Sequence, residues 1–310
     1  ASMHSPAMLI YLDNAASNAL APNENYAREL MELHTRGVDT FTQQDVEEVA
    51  RALTGWTVDP RPDSAAFARF LYVPELHDNG PKTILGHTFP AGGGKSDGDR
   101  LIELLSTDTS TAPVTANFLA RKIGVLFWGY DPPDALVTEI ANAYLQSGGE
   151  ITAMIRAALA ENWLMQAPAK LKRPFHFMMS ALRARPSNVH DPDTMSYILM
   201  GMGQIPFHWA PPNGFPDDLE YWGRYIMPRW TFGVQMLFLE QQAPIDFTPL
   251  LEAESDDAFL DAVDAHYFNH NMPASHRTEL EKLLAVFPNN MYRRTEALSL
   301  AVASADFQWY

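Results

Sequence analysis

The chain has 310 residues, with 38 acidic against 22 basic side chains for a formal charge of −16, and 46% of its residues are hydrophobic. This length allows one large or two ordinary domains around a sizeable core, and no apolar run of roughly 18 residues or more predicts a membrane span. Cysteine is absent, which excludes disulfides, thiolate metal sites and cysteine nucleophiles, and the acidic balance argues against nucleic acid, whose phosphates call for clustered Lys and Arg.

In chain order, residues 23–36 put Tyr26, Leu30 and Leu33 on one stripe, with Asn23 as N-cap and Gly37 as stop, and predict a helix. Thr42 and Asp45 form a capping box ahead of Val46, Val49, Ala50 and Leu53, so a second helix runs to Gly55 and pairs with the first. From 66 to 89 the pattern turns to β. Phe67, Phe70, Tyr72 and Val73 lead to Asp78-Asn79-Gly80 and then to Thr83–Leu85, predicting a small β-hairpin that turns at 78–80. After the glycine-rich loop 91–98, helical signals dominate: 98–107, 110–128, 132–147, 150–161, 169–185, 191–202, 219–241, 254–268, 274–287 and 290–304. The proline-dense stretch Pro206–Asp218 interrupts them as an ordered loop. The expected fold is mainly α, an irregular multi-helix bundle with a small β-hairpin near 66–89. It forms a single helical domain over 1–310, with a sub-boundary near 243–250, where Pro244 and Pro249 break the pattern.

On the first helix Asn25, Glu29, Glu32 and Arg36 share one face, with Arg28 four residues before Glu32. Two carboxylates beside arginines suit a general acid and an ionised partner, as hydrolysis of a glycosidic or ester bond requires; a solvated face braced by ion pairs is the structural alternative. His77, Asp78 and Lys82 place an imidazole, a carboxylate and an ammonium in one turn, although Asp78 also suits the turn for backbone reasons alone. If that turn folds over Glu29 and Glu32, acid, base and ligands for a divalent metal come together. Trp56 and Trp222, with Trp209, Tyr221, Tyr225 and Trp230, are candidates for stacking on sugars or acyl groups, or else for core packing.

Three other patterns are weaker. His266, His270 and His276 have metzincin-like spacing, but Tyr267 stands where the general-base Glu belongs and Pro273 where the turn Gly belongs. Gly94-Lys95-Ser96 lacks the upstream Gly of a phosphate loop, that position being Phe89. Ser96 matches the letters of a nucleophile elbow, but glycines precede it where a buried strand should run.

The segments Tyr11–Asn14, Pro22–His34, Thr42–Val46, Ala50–Trp56, His77-Asp78, Lys82, Ala120–Lys122, Lys172–Pro174, Met202–Gln204, Pro211–Gly214, Trp222 and Ala305–Gln308 resemble the bacterial DUF1800 family, a domain of unknown function. The chain is similar to the C-terminal two-thirds of that family's pattern. The resemblance implies a mostly helical protein, exported to the periplasm or beyond, and encoded in many bacteria beside a sulfatase-like partner. It carries over no catalytic residue, but its polar words coincide with Glu29, Glu32, His34, His77 and Asp78. The expectation is therefore an extracytoplasmic hydrolase of a glycosidic, ester or lactone bond acting on a carbohydrate or a small ester or lactone. Glu29, Glu32, His77 and Asp78 would be catalytic, and Arg28, Lys82, Trp56 and Trp222 would bind substrate. The rival is a non-catalytic binding or assembly protein for exported polymers or a sulfatase-like partner, using the aromatic 206–230 surface.

Overall fold

A computed structural model of the protein describes residues 2–286 and 292–310. It is mainly α-helical with two small antiparallel sheets of two strands each. Among the described residues no helix is long and apolar enough to cross a membrane. The chain divides into two compact units, Ala1–Ala167 and Pro168–Tyr310, each with its own apolar core. Residues 243–250 lie inside the second unit, where Ala243 and Leu250 are buried.

In the first unit α1 (Pro6–Tyr11) precedes α2 (Glu24–Glu29), where Asn23 Oδ1 accepts from Asn25 N at 2.8 Å as the cap. α2 runs on into a π-helical turn, Leu30–Thr35. There Arg36 N donates to Met31 O, five residues back, at 2.7 Å, and Thr35 Oγ1 donates to Leu30 O at 2.9 Å. Gly37 ends the turn in the left-handed region at φ +78, and a Cβ there would lie 2.9 Å from the Phe118 ring. In α3 (Gln43–Ala52) the capping box is formed in both directions: Thr42 N donates to Asp45 Oδ2 at 2.9 Å, and Asp45 N to Thr42 Oγ1 at 3.1 Å.

The β segment differs in detail from the expected single hairpin. β1 (Trp56–Val58) pairs with β2 (Phe70–Tyr72), while β3 (Lys82–Ile84) pairs with β4 (His87–Phe89). The hairpin turns at Leu85-Gly86, both at positive φ, which matches the twist of the strands they join. Asp78–Gly80 is a local turn instead, because the Asp78 carboxylate takes Gly80 N at 2.8 Å.

The unit is completed by α4 (Lys95–Ser106), α5 (Ala112–Phe127), α6 (Asp134–Ser147), α7 (Ile151–Ala158) and the single turn α8 (Glu161–Leu164). One core gathers Leu30, Met31, Val49, Leu53, Trp56, Phe89 and Leu101, and a second joins α5, α6 and α7 through Ala120, Ile140 and Met154.

The second unit contains α9 (Pro174–Arg183), α10 (Pro192–Gly201), α11 (Leu219–Gly223), α12 (Ile226–Gln235), α13 (Thr248–Leu251) and α14 (Asp256–Val263). It ends with α15 (Ala274–Val286), α16 (Arg293–Ala303) and α17 (Ala305–Gln308). Its core is built on Phe177, Leu199, Phe232, Phe259, Leu298 and Phe307. Positions 287 and 290–291 of the two expected C-terminal helices fall outside the described residues.

Candidate functional site

The expected quartet of Glu29, Glu32, His77 and Asp78 separates into two environments. His77, Lys82 and Asp97 are all buried, and together they tie the 77–82 segment to Thr54, just after α3, and to α4. The His77 Nδ1 lies 2.8 Å from Thr54 O, an oxygen that can only accept, so Nδ1 carries a proton; Nε2 lies 3.3 Å from Asp97 Oδ2. Lys82 Nζ donates to Asp78 O (2.5 Å), Gly80 O (3.0 Å) and Asp97 Oδ2 (2.7 Å), which uses all three of its protons. Lys82 therefore has no donor left for a substrate, contrary to its expected role.

Asp78 is equally engaged. Arg51 Nε donates to its Oδ2 at 2.8 Å and Arg51 Nη2 to its Oδ1 at 3.2 Å, while Arg51 Nη1 bridges both oxygens of Glu48 at 2.9 Å. The hydrogen bonds from Arg51 hold the Asp78 carboxyl below its ordinary range, against the opposing effect of burial. Glu48 Oε2 also accepts from Thr83 N at 3.0 Å. The network is a polar clasp joining α3, the turn and β3, with each partner using the others' bonding capacity.

Glu29 and Glu32 behave differently. Both are half-buried, and among the described residues neither makes a hydrogen bond or an ion pair, either with each other or with the clasp. Burial, and then the charge of Glu32, push the Glu29 carboxyl up, against a smaller opposing pull from Arg28. Arg28, expected to serve substrate beside Glu32, instead donates to Gln43 Oε1 at 2.6 Å and pairs with Glu24 at 3.5 Å, within a surface ladder between α2 and α3.

Glu32 lines a cleft of about 630 Å³ between the π-helical turn and α5. Its other polar walls are Arg36, Thr40, Asn117, Arg121 and Lys122. Arg36 is buried. Its Nη2 donates to Thr40 O at 3.3 Å, whereas Nε and Nη1 have no hydrogen-bond partner among the described residues, and burial lowers its pKa against the opposing pull of Asp45. Lys122 Nζ donates to Leu33 O at 2.7 Å, satisfying a carbonyl that the helix end leaves open, and lies 4.7 Å above the Phe118 ring. Arg121 is exposed and pairs with Asp134 at 3.2 Å.

Neither of the tryptophans proposed to bind substrate reaches the surface. Trp56 is fully buried, stacked on His4 at 4.6 Å between ring centroids, and a Cβ on Gly98 would lie 2.1 Å from its ring, so α4 closes directly over it. Trp222 is also fully buried, with Nε1 donating to Pro216 O at 2.8 Å, and packs among Phe215, Tyr221 and Tyr225. Their apolar area outweighs the indole polarity that made them candidates for stacking.

Among the described residues no group of three or more His, Asp or Glu side chains is arranged to hold a metal ion. Within the expected metzincin-like set, His266 lies 3.2 Å from Arg185 and His276 pairs with Asp306 at 3.1 Å. A further cavity of about 520 Å³ lies in the second unit beside Lys172, His176 and Arg183. Burial lowers the Lys172 pKa to about 8, but its ammonium is held by Phe307 O at 2.8 Å.

Asp97, the acceptor shared by His77 and Lys82, carried no signal in the sequence. Sequence reasoning noted Arg36 and Lys122 without placing them at one cleft, since they come from elements far apart in the chain. No curated protein and no solved structure matches the chain. The family model described as "Protein of unknown function (DUF1800)" matches residues 1–309, and with a match over essentially its whole length the chain belongs to that family.

Proposed function

We propose that the protein is a hydrolase of a glycosidic, ester or lactone bond, acting outside the cytoplasm, with Glu29 and Glu32 as its acid/base pair. The supporting observation is that these two carboxyls, one turn apart, have no ion-pair partner while burial and mutual repulsion raise Glu29. A carboxyl so raised keeps its proton at higher pH and can donate it to a leaving group, and Glu32, in the wall of the cleft, can take the proton of an attacking water. His77 and Asp78 belong to the clasp that holds the unit together and take no proton in this scheme.

The test is a panel of chromogenic glycosides, esters and lactones, followed by Glu29→Gln and Glu32→Gln on any substrate turned over. Each variant should lose about 100-fold or more in kcat with an unchanged circular-dichroism spectrum, and the wild-type rate should fall as pH rises through the Glu29 pKa. Full activity in both folded variants would overturn the assignment.

A further inference from the structure

We propose that the cleft between the π-helical turn and α5 recognises a sugar acid, with Arg36, Arg121 and Lys122 available to its carboxylate and Glu32, Thr40 and Asn117 to its hydroxyls. This assignment rests on the Glu29/Glu32 hydrolase and names its substrate class as uronides. Three cations and one carboxylate line the cleft of a chain whose formal charge is −16, so the cleft runs against the charge of the whole protein.

Arg36 is the central element. It is 8% exposed, and two of its guanidinium nitrogens are buried without an acceptor. Buried N–H groups in that state are unfavourable, so an anionic acceptor brought to Nε or Nη1 would relieve one of them. Lys122 spends one proton on Leu33 O and keeps two, and the Arg121 pair with Asp134 joins two exposed side chains that water already separates easily. Each cation therefore keeps N–H donors beyond those these contacts use. An inorganic anion would meet the Glu32 carboxylate as a like charge and offer it no hydrogen-bond donor. A sugar acid places hydroxyl donors against Glu32 and lays its C–H face on Val38 and Val114, which also line the cleft.

Isothermal titration calorimetry on the full chain, with D-galacturonate, D-galactose and inorganic phosphate as separate probes, tests the assignment. Galacturonate should bind, galactose should not, and added salt should weaken binding. Arg121→Gln, at an exposed position that leaves folding intact, should weaken galacturonate about tenfold, and Arg36→Gln, wherever it folds, should weaken it further. Equal binding of galactose, binding of phosphate alone, or an unchanged affinity in Arg121→Gln would overturn it. Arg121-dependent galacturonate binding with no uronide cleaved would retain the ligand class and remove the hydrolase. Glu29-dependent cleavage of neutral substrates without galacturonate binding would do the reverse.

Discussion

Replacing Glu29 with Gln removes a carboxyl whose folded-state pKa lies above its ordinary value of 4.5. Such a group stabilises the fold fully below its unfolded pKa, and that contribution is lost as pH rises through the folded value. At pH 7 Glu29→Gln should therefore raise the melting temperature by about 1 °C while turnover is lost, and near pH 4 the two melts should converge. Destabilisation at pH 7 would mean that the carboxylate is structurally paired after all. His77 should give the opposite pattern. Removing a buried imidazole bonded at both nitrogens leaves Thr54 O without its partner and Asp97 with Lys82 alone, so His77→Ala should cost about 2–4 kcal/mol in urea unfolding and leave the rate per folded molecule unchanged. A stable but inactive His77→Ala would restore it to the reaction. Nothing in residue type distinguishes these two fates, since a His and an Asp in a turn read the same whether solvent or Lys82 and Asp97 surround them.

Among the elements, the segment from α2 to Gly37 shows how far local patterning reaches. Its N-cap and its glycine stop are where side-chain and backbone preferences put them, because capping depends on residues within a few positions. The widened last turn was not legible. Periodicity placed Tyr26, Leu30 and Leu33 on one stripe, whereas Tyr26, Ala27, Leu30 and Met31 are buried and Leu33 is left half-buried at the cleft wall. The reason is the Arg36 N bond to Met31 O, which adds a residue to the turn and rotates everything after it. Gly37→Ala should therefore do two things. A side chain at φ +78 that also meets Phe118 should cost about 1–2 kcal/mol in urea unfolding, and it should displace α5 and so weaken any ligand of the cleft. Unaltered stability would show that Phe118 gives way freely. The β segment makes the same point: extended chain near Phe70–Tyr72 and Lys82–Ile84 was legible from composition, but the partner of neither strand was, because strand pairing depends on more than local preference.

For the whole molecule, the division into two units falls at a different place from the proline pattern. Limited proteolysis should cut first near Met165, which is 81% exposed between α8 and the second unit, and should spare 243–250, where Ala243 and Leu250 pack into a core. An initial cut at 243–250 would contradict the division into these two units. Proline marks where a helix must stop but carries no information about whether the break is then covered by other helices, and here it is. Helical class, the caps, the β region and membership of the family all followed from the order of residues, since each rests on propensities and words that act over a short range. Which charged groups from different elements meet was decided by tertiary packing. Lys122 finds Leu33 O across 89 positions and Lys82 finds Asp97 across 15, and only those contacts separate a buried clasp from an open cleft. The physical cause is that a charge is read by its surroundings: the same carboxylate is a brace when a guanidinium reaches it and a reactive group when burial and a like charge leave it alone.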